Sequence, residues 1–294
     1  MILRITGARA RVGVEHGQDA RATKHPGGEM RLSGYTPLAR LLVAAIVLPS
    51  LAATCSDTKA PQAPGAPKTP PQSQPTTQAV YEYRPGSRDG IDKWYMGRQI
   101  AHVMGHQAAD WLERPEREQE ENPTRLIEIL KKRVKPTDVF ADIGCGTGYY
   151  SFRLAPLVPQ GKVIGVDIQQ EMLDLLTAEA KKRSVTNVEP LLGTVEDPKL
   201  PAAGVDYALL VDAYHEFDHP REMMLAIYKS LKPGSGRVLL VEFRGEDANV
   251  PIKPLHKMTE AQAKKEMAAV GLKHVETIEE LPWQHVMIFE RPKE

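Results

Sequence analysis

The feature that most constrains this chain is a loop of alternating glycines, Asp142-Ile143-Gly144-Cys145-Gly146-Thr147-Gly148, which directly follows an apolar, strand-like run. Glycine lacks a Cβ atom, so the backbone can approach a ligand closely and adopt dihedral angles that other residues avoid. A helix that begins after the loop presents unpaired N–H groups to an anionic group. The loop therefore predicts a strand, a tight turn and a helix that bind a nucleotide-like ligand carrying a carboxylate.

Around this loop, strand-like runs alternate with helical patterns. Alternation of this kind is typical of a parallel sheet with helices on both of its faces. Strands are predicted at 139–143, 162–167, 188–192, 207–211 and 237–242, and helices at 149–157, 170–183 and 221–231.

The C-terminal part follows a different pattern. Thr259 is a favourable helix N-cap with Gln262 three residues later, and Gly271 is a favourable helix stop. Two strand-like runs follow, at 273–278 and 284–290, with a short loop between them. We therefore predict an α/β fold with a Rossmann-like, mostly parallel sheet, a C-terminal antiparallel hairpin and helices on both faces.

The spacing of the glycines separates two classes of cofactor. A dinucleotide-binding fingerprint needs a glycine at position 149, where this chain has Tyr149. The next predicted strand ends at Asp167, whose carboxylate can accept hydrogen bonds from two ribose hydroxyls. The loop and the acid together are more specific than either feature alone.

Three segments resemble class I methyltransferases that depend on S-adenosylmethionine. Residues 139–148 resemble motif I of that family, 165–168 resemble the motif that follows it, and 231–234 match a later landmark. The resemblance covers about 124–292 and implies the methyltransferase sheet with S-adenosyl-L-methionine as cofactor. It implies that Gly144, Gly146 and Gly148 line the methionine end and that Asp167 holds the ribose.

Many members of this family place an Asp after the third strand to contact adenine, whereas this chain has Thr194 there. Contact through Thr194, the Val195 backbone or Glu196 stays open. The complete predicted set of cofactor-binding residues is Asp142, Gly144, Gly146, Gly148, Asp167, Ile168, Thr194, Val195 and Asp212.

The methyl acceptor is expected beyond the fourth strand, because ligands of this fold bind at the carboxyl ends of the strands. Methyl transfer from a sulfonium requires alignment of the acceptor and, for a hydroxyl or protonated amine, removal of a proton. His215 is the first choice for the base, with Glu216, Asp218 or His219 as orienting or alternative groups. Equally, His215 and His219 could cap the following helix or pair locally. Tyr214 is a further acceptor candidate.

A helix is predicted at 94–106, with Arg98, His102 and His106 on one face. Such N-terminal helices often shape the acceptor pocket in the family, so Tyr95, His102 and His106 are further acceptor candidates. His102 and His106 with His215 and His219 have spacings that could bind a metal, but nothing makes this specific, and no metal site is predicted. The mixed-charge run 113–123 is interpreted as a solvated face with local ion pairs.

Composition bears on the partner. The 294 residues contain 38 Lys and Arg against 38 Asp and Glu, which gives no net field for a polyanion. The run after the fourth strand also lacks the Asn-Pro-Pro-Tyr or Asp-Pro-Pro-Tyr sequence of enzymes that methylate base nitrogens or glutamine amides. A small-molecule acceptor is therefore expected, nucleic acid is not, and the oligomeric state stays open.

The N-terminal third predicts export. Arg31 and Arg40 precede an apolar run, 41–48, and small residues follow, which is the layout of a secretory signal over 30–55. Met30 is the better start, so 1–29 is interpreted as an over-extended or disordered beginning. Cys55 resembles a lipid-anchoring site, although Thr54 departs from that pattern.

The domain predictions follow from these segments. Residues 56–80 form a Pro-rich linker, 81–123 an N-terminal helical cap and 124–294 the methyltransferase domain. We expect an exported, periplasmic or membrane-anchored protein, with a membrane contact only through the N-terminal segment. A cytoplasmic location is the alternative, because S-adenosylmethionine is made in the cytoplasm.

The sequence therefore predicts an enzyme that transfers a methyl group from S-adenosylmethionine to a small molecule. The main alternative is a non-catalytic, exported ligand-binding module on the same fold. A nicotinamide-linked oxidoreductase is less favoured because of Tyr149 and the terminal hairpin.

Overall fold

A computed structural model describes residues 79–293 of the chain. The predicted signal-like segment, its upstream residues and most of the predicted linker lie outside the described residues. Within 79–293, no helix has the length and apolar content needed to cross a bilayer.

The described part begins with a three-stranded antiparallel sheet made of β1 (Tyr81–Tyr83), β2 (Gly90–Tyr95) and β3 (Arg98–Ala101). The helix predicted at 94–106 is therefore wrong. Met96 and Gly97 both have a positive φ, 49° and 96°, which is the geometry of a two-residue hairpin turn. This turn pairs Tyr95 with Arg98 across the hairpin, so Arg98, His102 and His106 do not share a helical face.

Short helical segments follow this sheet. They are a 3-10 turn (His106–Ala108), α1 (Ala109–Leu112), α2 (Arg117–Glu120) and the longer α3 (Pro123–Lys131). Asn122 caps α3 by accepting a hydrogen bond from the Arg125 amide at 3.0 Å. The predicted N-terminal helical cap is thus a β-meander followed by helical turns.

The main sheet has eight strands, and its order is β10-β11-β8-β7-β4-β5-β6, with the short β9 beside β8. Its strands are β4 (Val139–Ile143), β5 (Lys162–Asp167), β6 (Val188–Leu192), β7 (Tyr207–Val211), β8 (Arg237–Arg244), β9 (Lys257–Met258), β10 (Lys273–Ile278) and β11 (Gln284–Glu290). Its helices are α4 (Ser151–Leu154), α5 (Gln170–Arg183), α6 (Pro220–Ser230) and α7 (Glu260–Ala268), with 3-10 turns at Ala155–Leu157, Tyr214–Glu216 and Pro254–His256.

The predicted fold class is confirmed. Strands β4 to β8 pair in parallel, whereas β11 pairs antiparallel with both β8 and β10. Both faces of the central strands are buried, as parallel sheets require: Phe140 and Leu209 pack in one core cluster, Ala141 and Leu210 in the other. The Thr259 hydroxyl accepts from the Gln262 amide at 3.2 Å, which is the predicted helix cap.

The strand order reverses at β4, because β5 and β6 lie on one side of it and β7, which follows β6 in the chain, lies on the other. A crevice opens at the carboxyl ends of strands where the strand order reverses in this way. The glycine loop after β4 and the acids that end β5 and follow β7 therefore meet at one edge.

Candidate cofactor and acceptor site

A cavity of about 660 Å³ lies at this edge of the sheet. Its walls come from the glycine loop, the ends of β5 and β7, the turn at 214–216, the segment after β3 and the loop at 251–256. A volume in this range is typical of sites that hold a small ligand or cofactor.

Two glycines of the loop form the floor of the cavity. Gly144 and Gly146 have φ values of 72° and 53°, in the left-handed region. A Cβ atom on Gly146 would lie 2.6 Å from the Leu112 side chain, and one on Gly144 would lie 2.8 Å from the Ala213 Cβ. The backbone therefore comes as close to the cavity as it does only because both positions lack a side chain.

Asp167 lies in the cavity wall at the end of β5. Its Oδ2 accepts from the Gly146 amide and its Oδ1 from the Gln169 amide, both at 2.9 Å. Burial raises the pKa of Asp167, against the effect of these amides. The two bonds fix the carboxylate, and each oxygen keeps a second lone pair for a ligand hydroxyl.

Two predicted cofactor residues lie behind the loop and do not line the cavity. The buried Asp142 carboxylate accepts from the Ser151 hydroxyl at 2.6 Å, and burial raises the pKa of Asp142 to about 6. Gly148 packs so closely that a Cβ would lie 2.7 Å from the Phe152 ring. Both residues fix the shape of the loop through contacts with α4. Asp142 accepts a hydrogen bond from Ser151, and Gly148 packs against Phe152.

Of the residues predicted to contact adenine or the adjoining part of the cofactor, two lie in the cavity wall and one does not. Ile168 and Val195 line the cavity and are both about 40% exposed, at 39% and 41%. Thr194 does not line it, because its hydroxyl accepts from the Asp197 amide at 3.1 Å and closes its own loop.

Asp212 follows β7 and lines the cavity with a left-handed φ of 48°. Its Oδ2 accepts from the Gln284 side chain at 2.6 Å, whereas its buried Oδ1 has no hydrogen-bond partner within residues 79–293. Burial, together with the charges of Glu121 and Glu242, raises the pKa of Asp212 well above its ordinary value. An unpartnered carboxylate oxygen in a cavity is suited to a cationic ligand group.

The mixed-charge run was interpreted from the sequence as solvated, which is wrong for its central pair. Arg117 is 4% exposed and Glu121 is fully buried, and the Arg117 Nε donates to Glu121 at 2.7 Å. Arg117 packs over the Tyr149 ring at 4.1 Å and lines the cavity. Packing against tyrosine rings, which the local sequence does not reveal, makes Arg117 part of the cavity wall.

His215 is the centre of a buried polar cluster. Its Nδ1 lies 2.6 Å from Oε2 of Glu242, a fully buried residue of β8. Burial opposes the imidazolium form, but the Glu242 carboxylate outweighs burial and raises the pKa of His215. Glu216 lies beside it and accepts from the Met104 amide at 3.0 Å, and burial raises the pKa of Glu216.

His256 completes the cluster from the loop at 251–256. Its Nδ1 lies 3.1 Å from Nε2 of His215. Burial, followed by the positive charges of His215 and Lys253, lowers the pKa of His256 to about 4. Neither Glu242 nor His256 is among the site residues predicted from the sequence. Glu242 was detectable as an acid that directly follows the apolar run 238–241, whereas nothing local marks His256.

The other predicted acceptor residues divide between the wall and the core. His102 lines the cavity, but four others do not. The Tyr214 hydroxyl donates to Glu266 at 2.7 Å inside the core, and Tyr95 packs against Tyr81. His106 and His219 lie beside Glu171 and Asp218 at 3.8 and 3.4 Å, outside the wall.

A buried ion pair ties the N-terminal sheet to α7. Arg98 of β3 donates from Nε and from Nη2 to the two oxygens of Glu266 in α7, both at 2.9 Å. Its Nη1 donates to the His215 carbonyl at 3.1 Å. The sheet that covers the cavity is thus tied to the turn that carries His215.

The strand order, the glycine loop and the acid after β5 define the class I, Rossmann-like methyltransferase fold, whose cofactor is S-adenosyl-L-methionine. Residues 140–234 match the family model described as a methyltransferase domain, so the resemblance predicted from the sequence is confirmed for this stretch.

Individual relatives agree with this class. The chain is 29% identical over 144 residues to a demethylmenaquinone methyltransferase of Lactococcus lactis, covering 48% of this chain and 55% of that protein. It is 37% identical over 83 residues to nocamycin O-methyltransferase of Saccharothrix syringae, covering 28% and 29%. The chain thus spans about half or less of these curated relatives.

A solved structure shows the same fold. An S-adenosylmethionine-dependent methyltransferase from Aquifex aeolicus superposes with a TM-score of 0.58 at 19% identity, covering 64% of this chain and 98% of that one.

The residues present fit this cofactor. The two cavity glycines leave space for its methionine part, and the fixed Asp167 carboxylate has lone pairs for ribose hydroxyls. The unpartnered oxygen of Asp212 could accept a hydrogen bond from the ammonium group of the methionine part.

Proposed function

We propose that this protein is an enzyme that transfers a methyl group from S-adenosylmethionine to a small, largely apolar acceptor. The observation that carries the proposal is the convergence of Gly146, Asp167 and Asp212 on one cavity of the methyltransferase fold. When bound, the cofactor supplies a methyl group on a sulfonium, which an aligned nucleophile can displace.

The acceptor end supports a small apolar molecule. Val103, Phe217, Phe243 and Ile252 are among the apolar residues that line the cavity. Apolar walls with a few convergent polar groups are typical of small-molecule sites. By their names, the two relatives act on demethylmenaquinone and on nocamycin, which are small molecules.

His215 is the residue best placed to remove a proton from the acceptor. The Glu242 carboxylate beside Nδ1 holds the N–H on that nitrogen, so the Nε2 atom of the neutral ring carries the lone pair. Nε2 lies toward His256 in the cavity wall. Glu242 then stabilises the imidazolium that forms, as an orienting carboxylate does in other proton-transfer sites.

Export is a separate part of the proposal and is supported by the sequence of residues 30–55 alone. It requires that the donor reach the exported protein or that the segment anchor a domain facing the cytoplasm. Cell fractionation and mapping of the mature N-terminus test it. Recovery of an unprocessed protein from the cytoplasm would reject it.

The activity is tested with methyl-labelled S-adenosylmethionine and the full chain. The label is offered to a fraction of small apolar metabolites and, separately, to total RNA and to protein. We expect label in the small-molecule fraction, and its loss in His215→Ala with binding of S-adenosylhomocysteine retained. His274→Ala, which removes a histidine of β10 outside the cavity, is the matched control.

Two results would contradict the proposal. Transfer of label to RNA or protein would reject the acceptor class. Tight binding of the donor without transfer to any pool would favour the non-catalytic ligand-binding module instead.

A further inference from the structure

Three ligand-type atoms of different residues meet at the acceptor end of the cavity. They are Nε2 of His215, Nδ1 of His256 and Oε1 of Glu216, and they all lie within 4.8 Å of one another. The two nitrogens are 3.1 Å apart, and Oε1 is 3.8 Å from each of them. A metal ion bound at about 2.0–2.2 Å in tetrahedral geometry separates its ligands by about 3.3–3.5 Å, so the triangle has nearly that size.

Two of the three residues, His215 and Glu216, are held by a second contact. Glu242 engages the far nitrogen of His215 at 2.6 Å, which leaves the near nitrogen, Nε2, free of a proton in the neutral ring. A carboxylate on the far nitrogen is the usual support of a metal-binding histidine. Glu242 is itself fixed by the Tyr214 and His215 amides at 3.0 and 3.3 Å. The Met104 amide holds the other oxygen of Glu216.

The charge around the triangle favours a cation. Glu216 and Glu242 are buried or largely buried, and within the described residues their ion-pair partners are histidines alone. Asp212, whose Oδ1 is unpartnered, lines the same cavity. Lys253 of the same loop is paired with Asp89 at 2.7 Å. Two carboxylates that share histidines as their ion-pair partners keep negative charge that is not fully balanced, and a divalent ion would balance it.

We propose that His215, Glu216 and His256 bind one divalent transition-metal ion, with its open coordination positions facing the acceptor. Two imidazoles and one carboxylate are a ligand set suited to Zn²⁺ or Fe²⁺. This set differs from the four histidines considered from the sequence, because His106 at the start of the 3-10 turn and His219 at the N-cap of α6 do not line the cavity.

The catalytic consequence rests on the proposed function. An acceptor hydroxyl, thiol or amine that binds the ion loses its proton to solvent more readily, because the ion stabilises the conjugate base. The acceptor atom then forms a bond to the methyl carbon while the carbon–sulfur bond breaks, and the sulfonium becomes a neutral thioether. In the metal-bound protein this ionisation replaces proton transfer to Nε2 of His215.

The site is tested by metal binding to the full chain without a polyhistidine tag. The protein is dialysed against a chelator and titrated with Zn²⁺ by calorimetry, and the bound metal is counted by mass spectrometry. We expect one Zn²⁺ per chain. We expect more than about 100-fold weaker binding in His256→Ala and Glu216→Gln, and about 10–100-fold weaker binding in Glu242→Gln. His102→Ala, which changes a cavity histidine outside the triangle, should bind normally.

Binding of S-adenosylhomocysteine is measured on the same samples. A folded wild-type protein that binds S-adenosylhomocysteine but no stoichiometric Zn²⁺ would overturn the metal site and leave the proposed function standing. Unchanged Zn²⁺ affinity in His256→Ala would also overturn it. Zn²⁺ bound by the triangle in a protein that does not bind S-adenosylhomocysteine would support the site and reject the proposed function.

Discussion

Nδ1 of His215 and Oε2 of Glu242 lie 2.6 Å apart although 27 residues separate them in the chain. His215 stands in the turn after β7 and Glu242 near the end of β8, and these strands pair in parallel with Leu210 opposite Leu240. The carboxyl ends of adjacent parallel strands meet at one edge, which brings the two side chains together. The sheet thus assembles the polar end of the cavity.

Filling the floor of the cavity should impair cofactor binding. We expect Gly146→Ala to weaken S-adenosylhomocysteine binding, because the new methyl group would press on Leu112 beside the cavity. The left-handed φ also costs about 1–2 kcal/mol of stability. Gly97→Ala is the control, since its φ is 96° but nothing lies within 4 Å of its Cβ. Gly97→Ala should lose stability but keep its affinity for S-adenosylhomocysteine. Equal affinity for this ligand in the two variants would contradict the inference that the backbone at Gly146 must come close to the cofactor.

The Asp212 carboxylate is expected to lower the stability of the fold and to raise its affinity for the cofactor. Its unpartnered buried carboxylate has a raised pKa, so ionisation at neutral pH opposes folding. Asp212→Asn is therefore expected to melt at a higher temperature than the wild type and to bind S-adenosylmethionine less tightly. Thermal denaturation and calorimetry measure the two effects. A variant that gains stability and keeps full affinity would show that Asp212 does not contact the cofactor.

Asp142 should make stability depend on pH. Its pKa is about 6 in the folded protein and about 3.9 in an unfolded chain. A raised pKa gives a stabilisation that is complete below pH 4 and is lost as the pH rises through 6. Relative to wild type, Asp142→Asn should therefore gain about 2–3 kcal/mol between pH 4 and pH 7.5.

This difference is measured by chemical denaturation of both proteins at each pH. The control is Asp110→Asn, which changes an exposed acid. A constant difference between Asp142→Asn and wild type across this range would contradict the raised pKa.

The Arg98 to Glu266 pair should anchor the N-terminal sheet. Arg98→Met leaves Glu266 buried without its cation, and breaking such a pair costs about 3–5 kcal/mol. Limited proteolysis should then cut within residues 81–101 first, and Glu266→Met added to Arg98→Met should recover part of the stability. Arg84→Met, which removes an exposed pair with Glu82, should cost less than about 1 kcal/mol. Equal losses in the two single variants would contradict the anchoring role.

The sequence specified the central sheet well. The predicted bounds of β5, β6, β7, β10 and β11 agree with the structure, because buried parallel strands and a hairpin leave clear apolar runs between turn residues. The helix predicted at 149–157 is divided into α4 and a 3-10 turn, since Pro156 cannot continue the α-helical hydrogen bonding.

The features that were not predicted from the sequence share a physical cause. They depend on backbone conformation or on contacts with residues far away in the chain. The hairpin at Met96 and Gly97 lies in a run whose apolar spacing also fits a helix, and the turn depends on the left-handed φ of Met96. Arg117 is buried by tyrosines more than 30 residues away, at Tyr149 and Tyr150. His256 reaches His215 across 41 residues. No local pattern encodes such contacts.

The proposal that the cavity binds S-adenosylmethionine through Asp167 is decided by calorimetry of the full chain with S-adenosylhomocysteine. We predict one site per chain, at least about 10-fold weaker binding in Asp167→Ala because two charge-assisted hydrogen bonds are lost, and unchanged binding in Asp174→Ala, an exposed acid of α5. Binding of a nicotinamide dinucleotide instead, or the same affinity in Asp167→Ala as in wild type, would contradict the claim.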